Sequence, residues 1–187
     1  MPDDLETRES TPTLYFGYGS NMWLDQMNRR CPENKYIGTA VLQDWLVGYL
    51  STCLLVISST TSNRCWIINQ RGYANVIPSS GNYVYGFIYE LNTKNEASLD
   101  VYEGAPRIYD KKIHPVQLRT SPGDGEAATK KTIDALVYID TVNTSPDDPK
   151  TEYIHRINMA LQDGLKNGVP QSYIDKYIRP FIPAESQ

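Results

Sequence analysis

The chain has 187 residues, of which 40% are hydrophobic and 21% charged, and its formal net charge is -4. This length suits one ordinary domain that buries a core without a disulfide or metal staple. The acidic balance argues against a surface that binds nucleic acid, and the longest apolar runs stop far short of the ~20 residues that a membrane-spanning helix needs.

The N-terminal segment, residues 1–12, is charged and carries two prolines without apolar periodicity. We therefore expect a loose tail there, followed by a single domain over residues 13–182 and a short tail over residues 183–187. Residues 1–6 are acidic where a targeting peptide is basic, so we expect a cytoplasmic protein.

The first half of the domain has the composition of short β-strands separated by turn residues. Residues 83–89 are apolar on both faces, which is typical of a strand covered on both sides. Gly86 within this strand indicates a close approach or a bend, and we expect the strand to be central. The predicted strands are residues 14–16, 37–42, 45–49, 54–57, 65–68, 74–77 and 83–89.

The second half of the domain alternates helical and strand signals. Residues 93–96 form a capping box, and Gly104 is placed to end the helix that this box starts. The predicted elements are helices over residues 94–103 and 151–166, strands over residues 109–118 and 132–140, a polar loop over residues 120–130 between those strands, and a short helix after Pro170.

The order of these elements indicates the fold class. Many strands with helices set among them, and no regular alternation of strand and helix, favour an α+β fold with a small mixed β-barrel flanked by helices. Gly17 and Gly19 lack the third glycine of a dinucleotide-binding fingerprint, and the sequence has no phosphate-loop motif. Neither nucleotide-binding fold is supported.

The cysteines and histidines do not form a recognisable metal or disulfide pattern. Cys31, Cys53 and Cys65 are odd in number and have no C-x-x-C spacing, and His114 and His155 are too few for a typical metal cluster. We expect reduced thiols, no metal site and no cofactor.

Residues 14–22 read as an apolar strand that runs into a glycine turn and then into a predicted helix over residues 22–30. Such a turn exposes successive backbone N–H groups at a helix N-terminus, where a carboxylate or phosphate binds. The alternative is a tight turn with Ser20 or Asn21 as a helix N-cap, and these residues alone leave the two interpretations about even.

Glu103 lies in the last turn of the predicted helix, facing the negative end of the helix dipole, where a carboxylate costs up to ~1 kcal/mol. Desolvation by Tyr102 and Leu99 would raise its pKa and make it a usable base near neutral pH. The alternative is an ordinary solvated glutamate.

Together these features resemble the γ-glutamylcyclotransferase family. The resemblance runs over most of the chain, through residues 15–22, 84–89 and 99–104 to Tyr153 and residues 167–170. It implies a small barrel with a deep pocket, a loop that holds the α-carboxylate of a γ-glutamyl group, and Glu103 as the acid/base. The binding residues that it implies are Tyr18, Gly19, Ser20, Asn21 and Met22 in the loop, and Tyr109 and Tyr153 in the pocket.

In the reaction that this resemblance implies, the enzyme supplies no nucleophile, metal or cofactor. The α-amine of a γ-glutamyl amide attacks its own γ-carbonyl and closes the five-membered ring of 5-oxoproline, while one carboxylate takes the ammonium proton and delivers it to the departing amine. The expected partner is therefore a small γ-glutamyl substrate, with no nucleic acid and no membrane; a homodimer is left open.

Two alternatives remain at this stage. Residues 52–73 look longer and more apolar than their counterpart in the family, which would suit a larger substrate of a dedicated pathway, such as a glutathione adduct. A non-catalytic binding protein with the same fold is the other alternative, although such a protein has no need of Glu103.

Overall fold

The computed structural model describes residues 11–43, 66–79, 81–119 and 131–185. The strands in these ranges are β1 (Thr13–Gly17), β2 (Lys35–Gln43), β3 (Trp66–Ile68), β4 (Ala74–Val76), β5 (Tyr83–Leu91), β6 (Asp110–Leu118) and β7 (Lys131–Ile139). Five of these seven strands form a closed barrel in the order β1-β5-β2-β6-β7, and β1 closes it by pairing in parallel with β7. This confirms the predicted α+β barrel.

Strand β5 is central, as its two apolar faces predict. It pairs in antiparallel fashion with β1 on one side and β2 on the other, and Val84 to Tyr89 are all buried. At Gly86, a Cβ atom would lie 2.6 Å from the Phe16 ring and 2.7 Å from the carbonyl oxygen of Gly17. The glycine therefore marks a close approach of β1, which is one of the two readings that its position allowed.

The helices match the predicted ones with two corrections. The helix expected over residues 22–30 starts only at Leu24, because a 3-10 turn occupies Ser20–Met22. The N-cap of the second helix is Asn92 rather than Thr93: the Asn92 side chain accepts a hydrogen bond from the backbone N–H of Asn95. The helices are α1 (Leu24–Arg30), α2 (Thr93–Glu103), α3 (Thr151–Lys166) and α4 (Gln171–Tyr173), which continues as a π-helical turn over Ile174–Ile178.

Glu96 has a different role from the one that the capping box predicted. Its carboxylate accepts hydrogen bonds from the Thr13 hydroxyl and the Lys111 ammonium. Burial alone would raise the pKa of Glu96, but the bonds from Lys111 and Thr13 outweigh it and lower that pKa. The residue thus joins the start of α2 to β1 and β6.

Strands β3 and β4 form a separate two-stranded hairpin. It is tied to the end of β7 by the buried carboxylate of Asp140, which accepts hydrogen bonds from the side chains of Asn69 and Asn143. The Asn75 side chain adds a bond to the Asp140 carbonyl at 2.9 Å. This network fixes the hairpin beside the barrel.

Several expectations fall outside the described ranges, namely the strands over residues 45–49 and 54–57, the loop over residues 120–130, and Cys53 and Cys65. Cys31 is buried as a free thiol, and burial raises its pKa to about 11. None of the helices in the described ranges is long and apolar enough to cross a membrane.

Candidate active site

A cavity of about 230 Å³ opens where β1 ends and β6 begins. Residues from β1, the turn after it, the ends of α1 and α2, the β3-β4 hairpin and the start of α3 line this cavity. Within the described residues the lining includes seven tyrosines, three arginines and one carboxylate, Glu103. The topology thus brings the glycine turn and Glu103, which are more than 80 positions apart, to the same space.

Glu103 is the last residue of α2, and Gly104 ends the helix in the left-handed conformation with φ 66°. Only 18% of the Glu103 side chain is exposed. Its Oε1 accepts a hydrogen bond from Asn21 Nδ2 at 3.0 Å and lies 3.7 Å from Arg30 Nη1. Burial raises the pKa of Glu103, and the positive charges of Arg30 and Arg156 together with the Asn21 bond oppose that rise only in part.

The raised pKa of Glu103 has the direction that the sequence predicted, and Tyr102 lines the same cavity as Glu103. The Tyr102 side chain is 55% exposed, and the Arg30 guanidinium lies 4.8 Å from its ring centroid. Leu99, one turn before Glu103, is fully buried.

Asn21 holds Glu103 through its side-chain amide. Its Nδ2 donates to Tyr15 Oη at 2.8 Å as well as to Glu103, and its Oδ1 accepts from Gln26 Nε2 at 3.0 Å and from Arg30 Nη1 at 2.8 Å. An amide has two donor hydrogens and two acceptor lone pairs, so the protein already uses all four. The side chain of Asn21 orients the carboxylate and has no hydrogen-bonding position left for a ligand.

The backbone of the loop offers fewer free N–H groups than the sequence suggested. The Met22 N–H donates to the Gly19 carbonyl at 3.0 Å, and the Ser20 N–H donates to Tyr153 Oη at 3.4 Å. Among the described residues, none accepts from the N–H groups of Gly19 and Asn21. Those two amides are the groups that remain for an anion.

Met22 is the one predicted site residue that does not line the cavity. Its side chain is buried. The 3-10 turn engages the Met22 N–H in a bond to Gly19, and the Met22 side chain belongs to the core rather than to the lining.

The other predicted residues, Tyr18, Gly19, Ser20, Tyr109 and Tyr153, all line the cavity. Tyr18 Oη donates to the Tyr138 carbonyl at 2.6 Å and Tyr109 Oη to the Ala74 carbonyl at 3.0 Å. Burial raises the pKa of Tyr18, Tyr109 and Tyr153, so these phenols stay neutral. A Cβ on Gly19 would lie 2.8 Å from Tyr153 Oη, which explains a glycine at this position.

Sequence reasoning missed the three arginines of the cavity, Arg30, Arg71 and Arg156. Among the described lining residues they outnumber the one carboxylate, so this part of the cavity is locally positive in an acidic protein. For two of these arginines, helical spacing places the side chain on the same helix face as another residue of the site region. Arg30 lies four residues after Gln26 on one face of α1, and Arg156 lies three residues after Tyr153 on one face of α3.

The described residues contain no group of three His, Cys, Asp or Glu side chains that could hold a metal ion. His155 lies at the surface, where its Nδ1 is 2.8 Å from Glu185 Oε1. The absence of a cofactor stays an expectation from the sequence.

The described residues thus form a small α+β barrel with a cavity in which one carboxylate lies beside a glycine turn, an arrangement suited to an enzyme site. A family model described as "Gamma-glutamyl cyclotransferase, AIG2-like" matches residues 15–155, so the chain belongs to that family, which confirms the resemblance.

Relatives agree with this assignment, and a solved structure agrees with the fold. The chain is 28% identical over 170 residues to a mouse protein named gamma-glutamylcyclotransferase, covering 90% of this chain and 79% of that protein. It is 26% identical over 174 residues to the protein of the same name from Bos taurus, covering 93% and 81%. A solved structure titled "Gamma-glutamyl cyclotransferase" shares the fold, with a TM-score of 0.64, 23% identity, and coverage of 94% of this chain and 90% of that chain.

Proposed function

We propose that this protein is a γ-glutamylcyclotransferase that releases 5-oxoproline and a free amine from a γ-glutamyl amino acid or γ-glutamyl conjugate, with Glu103 as the acid/base. The observation that carries the proposal is the buried Glu103 carboxylate, whose pKa is raised and which is fixed at 3.0 Å from Asn21 within the cavity. The names of the relatives support the same activity.

In this mechanism the free N–H groups of Gly19 and Asn21 donate hydrogen bonds to the α-carboxylate of the glutamyl group, and the α-ammonium then faces Glu103. The ionised Glu103 removes one proton from the ammonium, and the freed amine attacks the γ-carbonyl carbon. The C–N bond of the ring forms, and the attacking nitrogen loses its second proton as it becomes the lactam N–H. The bond to the leaving amine breaks as Glu103 delivers its proton to that nitrogen, and the amine takes up the second proton and leaves as an ammonium ion. The substrate's own amine is the nucleophile, so these steps need no water, metal or nucleophilic side chain.

The raised pKa of Glu103 suits both proton transfers, the removal of a proton from the ammonium and its delivery to the leaving amine. An acid with a pKa closer to the working pH accepts a proton and gives it back more readily than a strongly acidic carboxyl group. Holding the γ-glutamyl chain curled supplies the proximity contribution, which reaches about 7–11 kcal/mol in well-oriented intramolecular reactions. Tyr18, Tyr109 and Tyr153, whose pKa values burial raises, line the cavity without adding negative charge.

The test is a turnover screen of γ-glutamyl dipeptides, glutathione and γ-glutamyl-lysine, in which 5-oxoproline, free glutamate and the released amine are all quantified. We expect 5-oxoproline and amine in equal amounts from at least one substrate. Glutamate in place of 5-oxoproline would indicate hydrolysis and contradict cyclisation. Lack of product from every substrate would favour the binding-protein alternative.

A further inference from the structure

Arg156 lies in the second turn of α3, one residue beyond the segment that the family model matches, and its side chain is 24% exposed. It lines the same cavity as Glu103 and stacks on Tyr153, with its guanidinium carbon 5.0 Å from the ring centroid. Its Nη2 donates to Ser20 Oγ at 2.8 Å. A cationic side chain thus contacts the glycine turn directly.

The contacts of Ser20 show what this arrangement leaves free. Ser20 Oγ accepts one hydrogen bond from Arg156 Nη2 and another from Gln26 Nε2 at 3.0 Å. A hydroxyl has two lone pairs and one hydrogen, so both lone pairs are occupied and only the hydrogen remains. No described residue accepts that hydrogen, and Ser20 is buried. The hydroxyl is therefore left as a donor.

Arg156 carries a second unused donor. Its Nε is buried and has no hydrogen-bond partner among the described residues, whereas Nη1 pairs with Glu152 Oε2 at 3.2 Å. A buried polar group without a partner costs stability, and a native protein usually keeps one for a ligand or an ordered water. Glu152 is 54% exposed, so it neutralises Arg156 only weakly.

We infer that Arg156 is a specificity-determining residue that supplies the positive charge of the α-carboxylate subsite and holds the Ser20 hydroxyl as a donor toward it. The inference rests on the proposed function, because that function provides the carboxylate. The subsite then combines the Ser20 hydroxyl and the Arg156 Nε–H with the free N–H groups of Gly19 and Asn21. All four are donors, which fits a carboxylate and rejects a cation.

The test compares two substrates in wild type and Arg156→Gln. One is a γ-glutamyl amino acid, and the other is the matching 4-aminobutyryl amide, which lacks only the α-carboxylate. On the pH-independent plateau, we expect Arg156→Gln to raise KM for the first substrate about 10-fold or more, since a hydrogen bond to a charged group is lost, and to leave kcat within about threefold. The kinetic constants of the decarboxylated analogue should not change.

Three further variants separate a binding role from a structural one. Arg156→Lys keeps the charge but loses the Nε–H, so its KM should fall between those of wild type and Arg156→Gln. Glu152→Gln removes the surface partner of Arg156, so KM should stay the same or decrease. Arg29→Gln, at an exposed arginine paired with Asp25, should behave as wild type. A rise in KM for Glu152→Gln as large as for Arg156→Gln would overturn the inference in favour of a structural ion pair.

Calorimetric binding of 5-oxoproline distinguishes failure of this inference from failure of the proposed function. If wild type forms no 5-oxoproline from any substrate, the proposed function fails whatever Arg156 does. If 5-oxoproline binds wild type and Arg156→Gln equally well, with both proteins folded by circular dichroism, the inference is wrong whatever the turnover. We expect binding to Arg156→Gln to be at least about 10-fold weaker.

Discussion

Replacing Asn21 by Asp tests the proposed link between the glycine turn and Glu103. The side chains are almost the same size, but the Asn21 Nδ2 atom, which donates to Glu103 Oε1 at 3.0 Å, becomes a carboxylate oxygen. Two negative charges about 4 Å apart repel by about 4 kcal/mol at an effective dielectric constant of 20, which corresponds to about three pKa units. Arg30, hydrogen-bonded to Asn21 Oδ1, offsets part of this repulsion.

The expected result is a shift in the pH dependence of kcat/KM. The two carboxyl groups then share a proton, so the acid limb of the profile, which reports ionisation of the base, should move upward by about one to three pH units. Activity should return partly at alkaline pH. The matched control is Asn28→Asp, at an exposed position of α1. An unchanged acid limb in folded Asn21→Asp would refute the assignment of Asn21 as the residue that orients Glu103.

Four further results are expected. Arg30→Gln removes a cation 3.7 Å from Glu103, so the acid limb of kcat/KM should rise by about one pH unit. Because burial raises the folded-state pKa of Glu103, its ionised form destabilises the fold; Glu103→Gln should therefore raise the melting temperature at neutral pH and lose that gain below about pH 4. Gly86→Ala should lower the free energy of unfolding by about 2–3 kcal/mol in denaturant titrations, because its Cβ meets the Phe16 ring. Dialysis against a chelator should leave turnover unchanged, and loss that added metal restores would contradict this.

Local sequence signals predicted the elements that depend on neighbouring residues. The cap at Gly104 and the close approach at Gly86 both follow from a backbone or packing requirement that only glycine meets. The capping box failed at Thr93, because Asn92, one position earlier, serves as the N-cap and Glu96 bonds to Thr13 and Lys111 instead. Those partners are distant in sequence, so a local pattern could not reveal them.

The sequence predicted only part of the candidate site, because local patterns do not reveal residues that come together from distant positions. Glu103 and the glycine turn carry local signals, and resemblance to the family supplied Tyr109 and Tyr153, which line the cavity. Arg156 went unnoticed because only the packing of α3 against the turn brings it to Ser20, across 136 positions. Long-range contacts of this kind depend on the closed barrel, so no short stretch of the sequence indicates them.

The central claim is that Glu103 moves the proton in an intramolecular cyclisation. The most direct measurement is the rate of 5-oxoproline formation from the best γ-glutamyl substrate by wild type, Glu103→Gln and a control variant. The control is Glu33→Gln, because Glu33 is exposed and lies outside the cavity. The account predicts that Glu103→Gln loses at least about 100-fold in turnover, still binds 5-oxoproline and stays folded, while Glu33→Gln matches wild type. Turnover by folded Glu103→Gln at the wild-type rate would contradict the account.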